Sequence, residues 1–375
     1  MREGTLRRRL TSWRGLGLFW VAVLSAAALG AAALQSLDSV KSAGSTVQAA
    51  VPTAEIPNAE VSKAEVSKAG VLAAEAPRPE PEPEVRPVQA TVSPATVRRV
   101  AAPDPGLLEP APHEPTARVP RVASDGRTAR VVYAAAAGVV PAGSSRIALI
   151  VSGVGRSEKE TQAAIMGLPG AVSLAVSAYA SMRPAVLDAA RAAGHELLAS
   201  VPMEPEGYPQ NDEGPQSLMT GTTPDRNALN LEWALSRVEG AVGATGASDG
   251  MRGERFADVG GAMDPVLDEI ARRGLMYLDP RPGRSASRPD LYSCSVDVVI
   301  DNPPARAEVD AKLATLERIA REKGMAVGLV GQLQPVTLER LAKWTKALAG
   351  RGFVLVPVSS VVTDPRRAPN AIASH

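Results

Sequence analysis

Carboxylates standing at the ends of apolar runs are the groups in this chain best placed to do chemistry. Glu204 follows HELLASVPM, Asp279 closes LMYLD with Arg281 two residues on, and Asp301 closes DVVID just before Asn302. A positioned carboxyl can serve as a general acid or base, and two of them about 5–10 Å apart can cleave an acetal. Asp249 and Glu254 are further acids. A metal site drawn from Asp249, Glu254, Asp279 and Asp301 would present only oxygen, which favours Mg or Ca over Zn. Nitrogen and sulfur ligands are scarce: the chain has three histidines, His113, His195 and His375, and one cysteine, Cys294. One cysteine excludes an intrachain disulfide, and its place between two strands reads as an inert thiol.

Each of these residues also has a plain structural reading. Glu204 either binds hydroxyls or caps the turn after Pro202. Asp279 and Arg281, two apart at a strand end, are expected to pair and shape a rim, with substrate binding the alternative. Asp301-Asn302 ahead of Pro303-Pro304 reads as the start of a helix with Asn302 accepting backbone N–H groups, or as a binding pair. His195 begins its strand, far from the strand ends, and is expected to pack or hydrogen-bond.

The elements that would position these groups alternate between strand and helix. Apolar runs at Arg146–Val154, Ala171–Tyr179, His195–Met203, Ala241–Thr245, Leu275–Asp279, Asp297–Asp301, Met325–Gly331 and Phe353–Val362 predict strands. Between them, helices are expected from Ser157 onward and over Arg183–Ala193, Asp225–Glu239, Ala262–Arg273, Arg306–Lys323 and Thr337–Leu348. Ser157 and Glu160 have capping-box spacing, and Thr223-Pro224 places a capping hydroxyl before a proline at the first helical position. Such alternation means a mainly parallel sheet covered by helices, closed or nearly closed into a barrel, with its functional surface at the carboxyl ends of the strands. Those ends carry Ser152-Gly153, Ser177, Ser200, Glu204, Thr245 to Asp249, Asp279, Arg281, Asp301-Asn302, Gln332 and Ser359-Ser360. Gly153-Val154-Gly155 superficially resembles a dinucleotide loop but lacks its third glycine and the acid after the next strand.

The first 145 residues differ in kind. Arg2, Arg7, Arg8, Arg9 and Arg14 face a lone Glu3, and residues 15–34 run without a charge. Twenty such residues are long enough to cross a hydrocarbon core as a helix, and the arginines place the amino terminus in the cytoplasm. An anchor is expected there, a cleaved signal peptide being the alternative. Residues 35–143, with AEVSK-AEVSK and APRPEPEPEVRP, read as a disordered, Pro/Ala/Glu-rich tether. The barrel is expected over residues 144–365, followed by a flexible tail at 366–375. Formal net charge is +1 and aromatics are 3%, so no electrostatic footprint or stacking platform for nucleic acid is present.

Several segments, in one order, resemble the polysaccharide deacetylase family in a divergent form. They are GHELLASVPMEP (Gly194–Pro205), the proline-flanked loop with Gly214-Pro215 and Leu218-Met219-Thr220-Gly221, GLMYLDPR (Gly274–Arg281), VVIDN (Val298–Asn302) and FVLVPVSSVV. The resemblance runs from about Arg146 to Val362. It implies a distorted (β/α) barrel related to metal-dependent carbohydrate de-N-acetylases, and a divalent metal such as zinc. The departures fall on the metal and base positions. Where the family's first strand ends Asp-Asp-x-Gly, this chain has Ser152-Gly153-Val154-Gly155; Ser200 replaces the histidine before Pro-Met-Glu-Pro; Met251 or a neighbour takes the place of the histidine in the Asn-His-Met loop; and Gln332 that of the last histidine.

Magnitudes show what this costs. A catalytic metal lowers the pKa of water from about 15.7 to about 7, on the order of 12 kcal/mol of nucleophile activation. A general base supplies about 10²–10⁴-fold, roughly 3–5 kcal/mol. Glu204, Asp279 and Asp301 therefore cannot replace the metal in amide hydrolysis. The expectation is a catalytically degenerate, metal-free barrel with no cofactor. It would be anchored in the inner membrane facing the periplasm and bind a glycan or a cell-envelope protein through Ser152, Ser200, Glu204, Asp249, Asp279, Arg281, Asn302 and Gln332. A hydrolase with a rebuilt carboxylate or metal site, and a stalked scaffold, are the alternatives.

Overall fold

The computed structural model describes residues 99–112, 114–180, 184–284, 288 and 290–365. The basic tail, the uncharged stretch 15–34, the repeats, His113 and the tail from 366 lie outside the described residues. Among those described, no helix is long and apolar enough to cross a membrane.

From Ser145 the chain builds a nine-stranded, wholly parallel sheet, β3–β11, wrapped by helices. β3 (Ser145–Val154) lies at its centre, buried from Ile147 to Val154, as a strand covered on both faces must be. β10 (Met325–Val330) pairs along one side of it, Met325 opposite Arg146. On the other side β11 (Phe353–Val356) takes the first half of β3 and β4 (Ser173–Ser177) the second, across an irregularity between Val151 and Val154. β5 (Leu197–Ser200), β6 (Gly243–Thr245), β7 (Met276–Asp279) and β8 (Ser293–Ser295) follow outward from β4, and β9 (Val298–Val299) lies beyond β10. Because β8 pairs with β7 and β9 with β10, the single stretch Ser293–Val299 carries the chain from one end of the curled sheet to the other. Cys294 lies in this bridging stretch, in a strand rather than a loop, and burial pushes its thiol pKa far up. That makes it a poor nucleophile.

The helices fall where the sequence signals place them, although Ser157 caps no N–H of the helix it precedes and its hydroxyl donates to the Glu160 carboxylate instead. α2 (Glu158–Gly167) and α3 (Pro184–Ala192) flank β4. α4 (Pro224–Ser236) begins with Thr223 Oγ1 accepting from the Arg226 N–H at 3.3 Å. α5 (Glu254–Asp258) and α6 (Asp264–Arg272) lead into β7. α7 (Arg306–Lys323) buries Val309, Leu313, Leu316 and Ala320, and ends at Gly324 in the left-handed region. Gly328 of β10 lets it lie close, since a Cβ there would meet Leu316 at 2.8 Å. α8 (Pro335–Ala347) completes the layer.

Two expectations need correction. The tether does not run to Gly143. After a 3₁₀ turn at Pro105–Leu107, β1 (Leu108–Ala111) and β2 (Glu114–Pro120) form an antiparallel hairpin, followed by the short α1 (Ala129–Val132). Leu107, Ala111, Val119, Ala129 and Tyr133 are buried in this segment, and the Tyr133 hydroxyl accepts from the Asp104 N–H at 2.7 Å. Average composition concealed it, while prolines 110, 115 and 120 are tolerated because a two-stranded sheet is all edge. Second, Ser359 does not stand at the mouth. Its N–H and hydroxyl bond the buried Glu196 carboxylate at 2.9 and 2.5 Å, at the amino end of β5. Ser173 Oγ and the Ala135 N–H complete that carboxylate's shell at 2.8 and 3.1 Å. His195, beside it, is fully buried with both ring nitrogens against carbonyl oxygens, of Val172 at 2.8 Å and Ile165 at 3.1 Å.

Candidate functional site

The carboxyl ends of β3, β6 and β10 meet at a narrow point. Gly153, at φ +77°, points the direction of its missing side chain at Asp249: a Cβ would lie 3.5 Å from Asp249 Oδ1 and 3.7 Å from the Leu333 nitrogen. The loop after β6 is pinned by reciprocal Ser248–Met251 backbone bonds of 2.9 Å each. Within it Asp249 takes φ +47° and Gly250 φ +91°. Gln332, just past β10, lies across Gly250, where a Cβ would stand 2.9 Å from its Nε2; that nitrogen donates to the Asp249 carbonyl at 3.1 Å. Gln332 Oε1 accepts from Gln334 Nε2 at 3.0 Å, and Arg156 Nε reaches Asp249 Oδ2 at 3.3 Å. Together Gly153, Arg156, Ser157, Asp249, Gln332 and Gln334 border an open polar hollow of about 370 Å³.

The three candidate catalytic carboxylates are not gathered there; each is committed to the frame. Glu204 accepts from the Thr220 N–H at 2.7 Å and hydroxyl at 2.5 Å, and pairs with Arg255 at 2.8 Å. It ties the loop before α4 to α5. Asp279 is fully buried under a bidentate contact from Arg281, at 2.9 and 2.8 Å, and Arg281 also reaches Asp258 at 3.0 Å. The Asp279 carboxylate in turn raises the Arg281 pKa. Asp301 accepts the Gly331 and Gln332 N–H groups at 2.8 Å each, one per oxygen, clamping the end of β10. Burial raises its pKa above the ordinary aspartate range, and those two donors hold the rise back. Asn302 is exposed and caps nothing; α7 starts four residues later with Ala305 as its cap residue. Ser152, near the end of β3, and Ser200, the last residue of β5, have hydroxyls that are buried and unpartnered.

Of the arginines at this rim, sequence reasoning found Arg281 and missed the other three. Arg156, Arg252, Arg255 and Arg281 pair with Asp249, Glu254, Glu204 and Asp279, so the rim carries a guanidinium beside each of these carboxylates. The Asp279–Arg281 and Arg252–Glu254 pairs are each two residues apart in sequence, and only the first was expected. Sequence reasoning also missed Glu213, a carboxyl buried in the loop between β5 and α4.

Residues 149–362 match the divergent polysaccharide deacetylase family. The chain belongs to that family. A crystal structure of an uncharacterized protein from Agrobacterium tumefaciens C58 is 31% identical, with a TM-score of 0.59 over 66% of this chain and 100% of that one. The catalytic domain of a peptidoglycan N-acetylglucosamine deacetylase from Eubacterium rectale ATCC 33656 is similar at 15% identity and a TM-score of 0.35, over 61% of this chain and 96% of that one. A search of curated proteins returns no match.

For a polysaccharide deacetylase relative, the question is whether the residues at these strand ends fit a divalent metal. They do not. At the aspartate position of β3 stands Gly153, in a left-handed backbone (φ +77°) that strains any side chain, with the Asp249 carboxylate in van der Waals contact along the side-chain direction. The space between the β6 loop and β10, where the resemblance implies two histidines, is filled by the Gln332 amide lying on Gly250. An uncharged amide and two hydroxyls are weak ligands for a transition ion. Among the described residues, no three His, Cys, Asp or Glu side chains converge to hold one.

Proposed function

We propose that this protein is a non-hydrolytic member of the divergent polysaccharide deacetylase family that binds an N-acetylated glycan of the cell envelope at the carboxyl-end hollow. Its amino-terminal apolar segment would tether it to the membrane with the barrel on the extracytoplasmic side. The observation that carries this reading is the Gln332 side chain lying across Gly250, opposite a Gly153 whose left-handed backbone disfavours any side chain. The hollow beside them keeps guanidinium, amide, hydroxyl and carboxylate groups, a set able to donate to and accept from sugar hydroxyls. The two-carboxylate hydrolase gains no support from the geometry, because Glu204, Asp279 and Asp301 are each held by donors or an arginine. The membrane placement rests on the sequence of residues 1–34 alone.

The test combines three measurements on the full chain. Elemental analysis after dialysis is expected to find no stoichiometric divalent metal. Acetate release from chitooligosaccharide or peptidoglycan is expected to stay at background with Zn or Mn added. Sedimentation with insoluble peptidoglycan is expected to be saturable, and weakened about tenfold by Arg156→Ala or Gln332→Ala, as the loss of about 1.4 kcal/mol of hydrogen bonding would produce. Chelator-sensitive acetate release would overturn the proposal. Pelleting unaffected by either substitution would move the function away from the hollow.

A further inference from the structure

The loop from Glu206 to Gln216 crosses the surface beside the mouth, and its residues are exposed or half-buried with one exception, Glu213. A surface loop is ordinarily anchored by an apolar side chain. This one is anchored by a carboxyl that is 8% exposed, with both oxygens buried and neither in hydrogen-bonding geometry with a partner. A charged carboxylate in that position would carry a desolvation cost of several kcal/mol, while the neutral acid carries much less. Its surroundings act in the same sense. Asp249 from the β6 loop and Glu254 from α5 lie near enough to repel a negative charge, and the main groups that favour one are the Ser248 hydroxyl and the Met203 main chain. The cations on those elements are already engaged, Arg252 with Glu254 at 2.9 Å, Arg156 with Asp249 and Arg255 with Glu204. From the turn after β4 the Tyr179 phenol faces the loop, and its own pKa is raised by burial. Asp212, on the loop itself, accepts the Gly214 N–H at 2.8 Å.

We propose that Glu213 is a proton-operated latch: neutral, it holds the Glu206–Gln216 loop against the mouth, and ionised, it releases the loop. Burial raises the Glu213 pKa well above the ordinary glutamate range, with the two neighbouring carboxylates adding to the rise. Release has a defined path, because the loop's remaining ties are few. Gly214 sits on the Tyr179 ring, where a Cβ would come within 2.8 Å, the Gln216 N–H donates to the Tyr179 hydroxyl at 2.9 Å, and Arg255 reaches the Tyr208 carbonyl at 3.5 Å. Beyond Gln216 the chain is held by Asn230, which donates to the Ser217 carbonyl at 3.0 Å, so Ser217 is the natural limit of the moving part. The latch does not depend on what the mouth binds.

Hydrogen exchange on the full chain, read at the Gln216 amide and corrected for intrinsic rates, tests this between pH 5 and 9. With one proton linked to closure, protection is expected to fall about tenfold per pH unit between the ordinary glutamate range and the raised value. In Glu213→Gln the same amide is expected to stay protected at every pH, while Asp212→Asn keeps the wild-type slope. Protection in the wild type that does not change with pH would overturn the latch whether or not the variants fold. A Gln variant that still loses protection with the wild-type slope would do the same.

Discussion

Gly153 stands where the resemblance implies a metal-binding aspartate, in a backbone that resists any side chain. A side chain there would need a left-handed backbone, and its Cβ would stand 3.5 Å from Asp249 Oδ1, in a carboxylate whose Oδ2 is paired with Arg156. Restoring the family's aspartate should therefore not restore a metal. Gly153→Asp is expected to lower stability by about 1–2 kcal/mol from backbone conformation alone, with like-charge repulsion from Asp249 adding to it. Gly138→Ala, where a Cβ meets nothing within 4 Å, should change stability by less than about 0.5 kcal/mol. Thermal denaturation gives both values, and zinc titration by calorimetry is expected to show no stoichiometric binding by Gly153→Asp. Tight zinc uptake by that single variant would mean that Asp249 and Gln332 yield more readily than their contacts indicate. Substitution of the ligands was legible in the sequence, since Ser152, Gly153, Ser200 and Gln332 stand where the resemblance implies Asp and His. What fills the space was not: Gln332 and Gly250 are 82 residues apart, and only the fold brings the amide onto the glycine.

At the scale of elements, the part of the fold with local signals could be read and the part held by distant contacts could not. Arg306–Lys323 has the helix boundaries expected from its apolar face and Gly324, and the strands from Arg146 to Phe353 fall where apolar runs sit between caps. β8 was missed because three residues carry no period, and the β1–β2 hairpin because its stabilising partner is remote. That partner is Arg273, 1% exposed, which donates to the Pro120 carbonyl at 2.8 Å and pairs with Glu109 of β1 at 3.0 Å, Glu269 of α6 at 2.5 Å and Glu232 of α4 at 3.4 Å. One buried guanidinium thus joins the hairpin to two barrel helices. Removing it leaves three carboxylates facing one another and an unpaired carbonyl. Arg273→Ala is expected to cost about 3–5 kcal/mol, the usual result of breaking a buried pair from one side. Denaturant unfolding measures the cost, and protease sensitivity between residues 99 and 143 should rise before the barrel itself is cut. A variant with a wild-type midpoint would show that the apolar contacts of Leu107, Val119 and Tyr133 dock the hairpin unaided.

Taken as a whole, the molecule has buried carboxyls pulling its pH dependence in two directions, and their signs predict where it is most stable. Glu213 and Asp301 have folded pKa values raised by burial. Above the ordinary carboxylate range, near pH 4, the unfolded chain has released these two protons while the native protein still holds them. The native state then binds more protons than the unfolded one, so stability falls as pH rises and levels off only past the raised values. Glu269 has the opposite sign. Its burial is outweighed by the guanidiniums of Arg272 and Arg273, which hold its pKa below the ordinary range, and its contribution is lost as pH drops through that lowered value. The stability maximum should therefore lie on the mildly acidic side, near pH 5, with a decline toward pH 8. Denaturation midpoints at constant ionic strength across pH 4–8 measure the curve. Glu213→Gln should flatten its alkaline arm, and Asp301→Asn should flatten it further but lower the whole curve, because an amide offers one acceptor where the Gly331 and Gln332 N–H groups need two. A midpoint that climbs steadily from pH 5 to 8 would mean that these two carboxyls are ionised in the native protein, and that their surroundings are wetter than their burial shows.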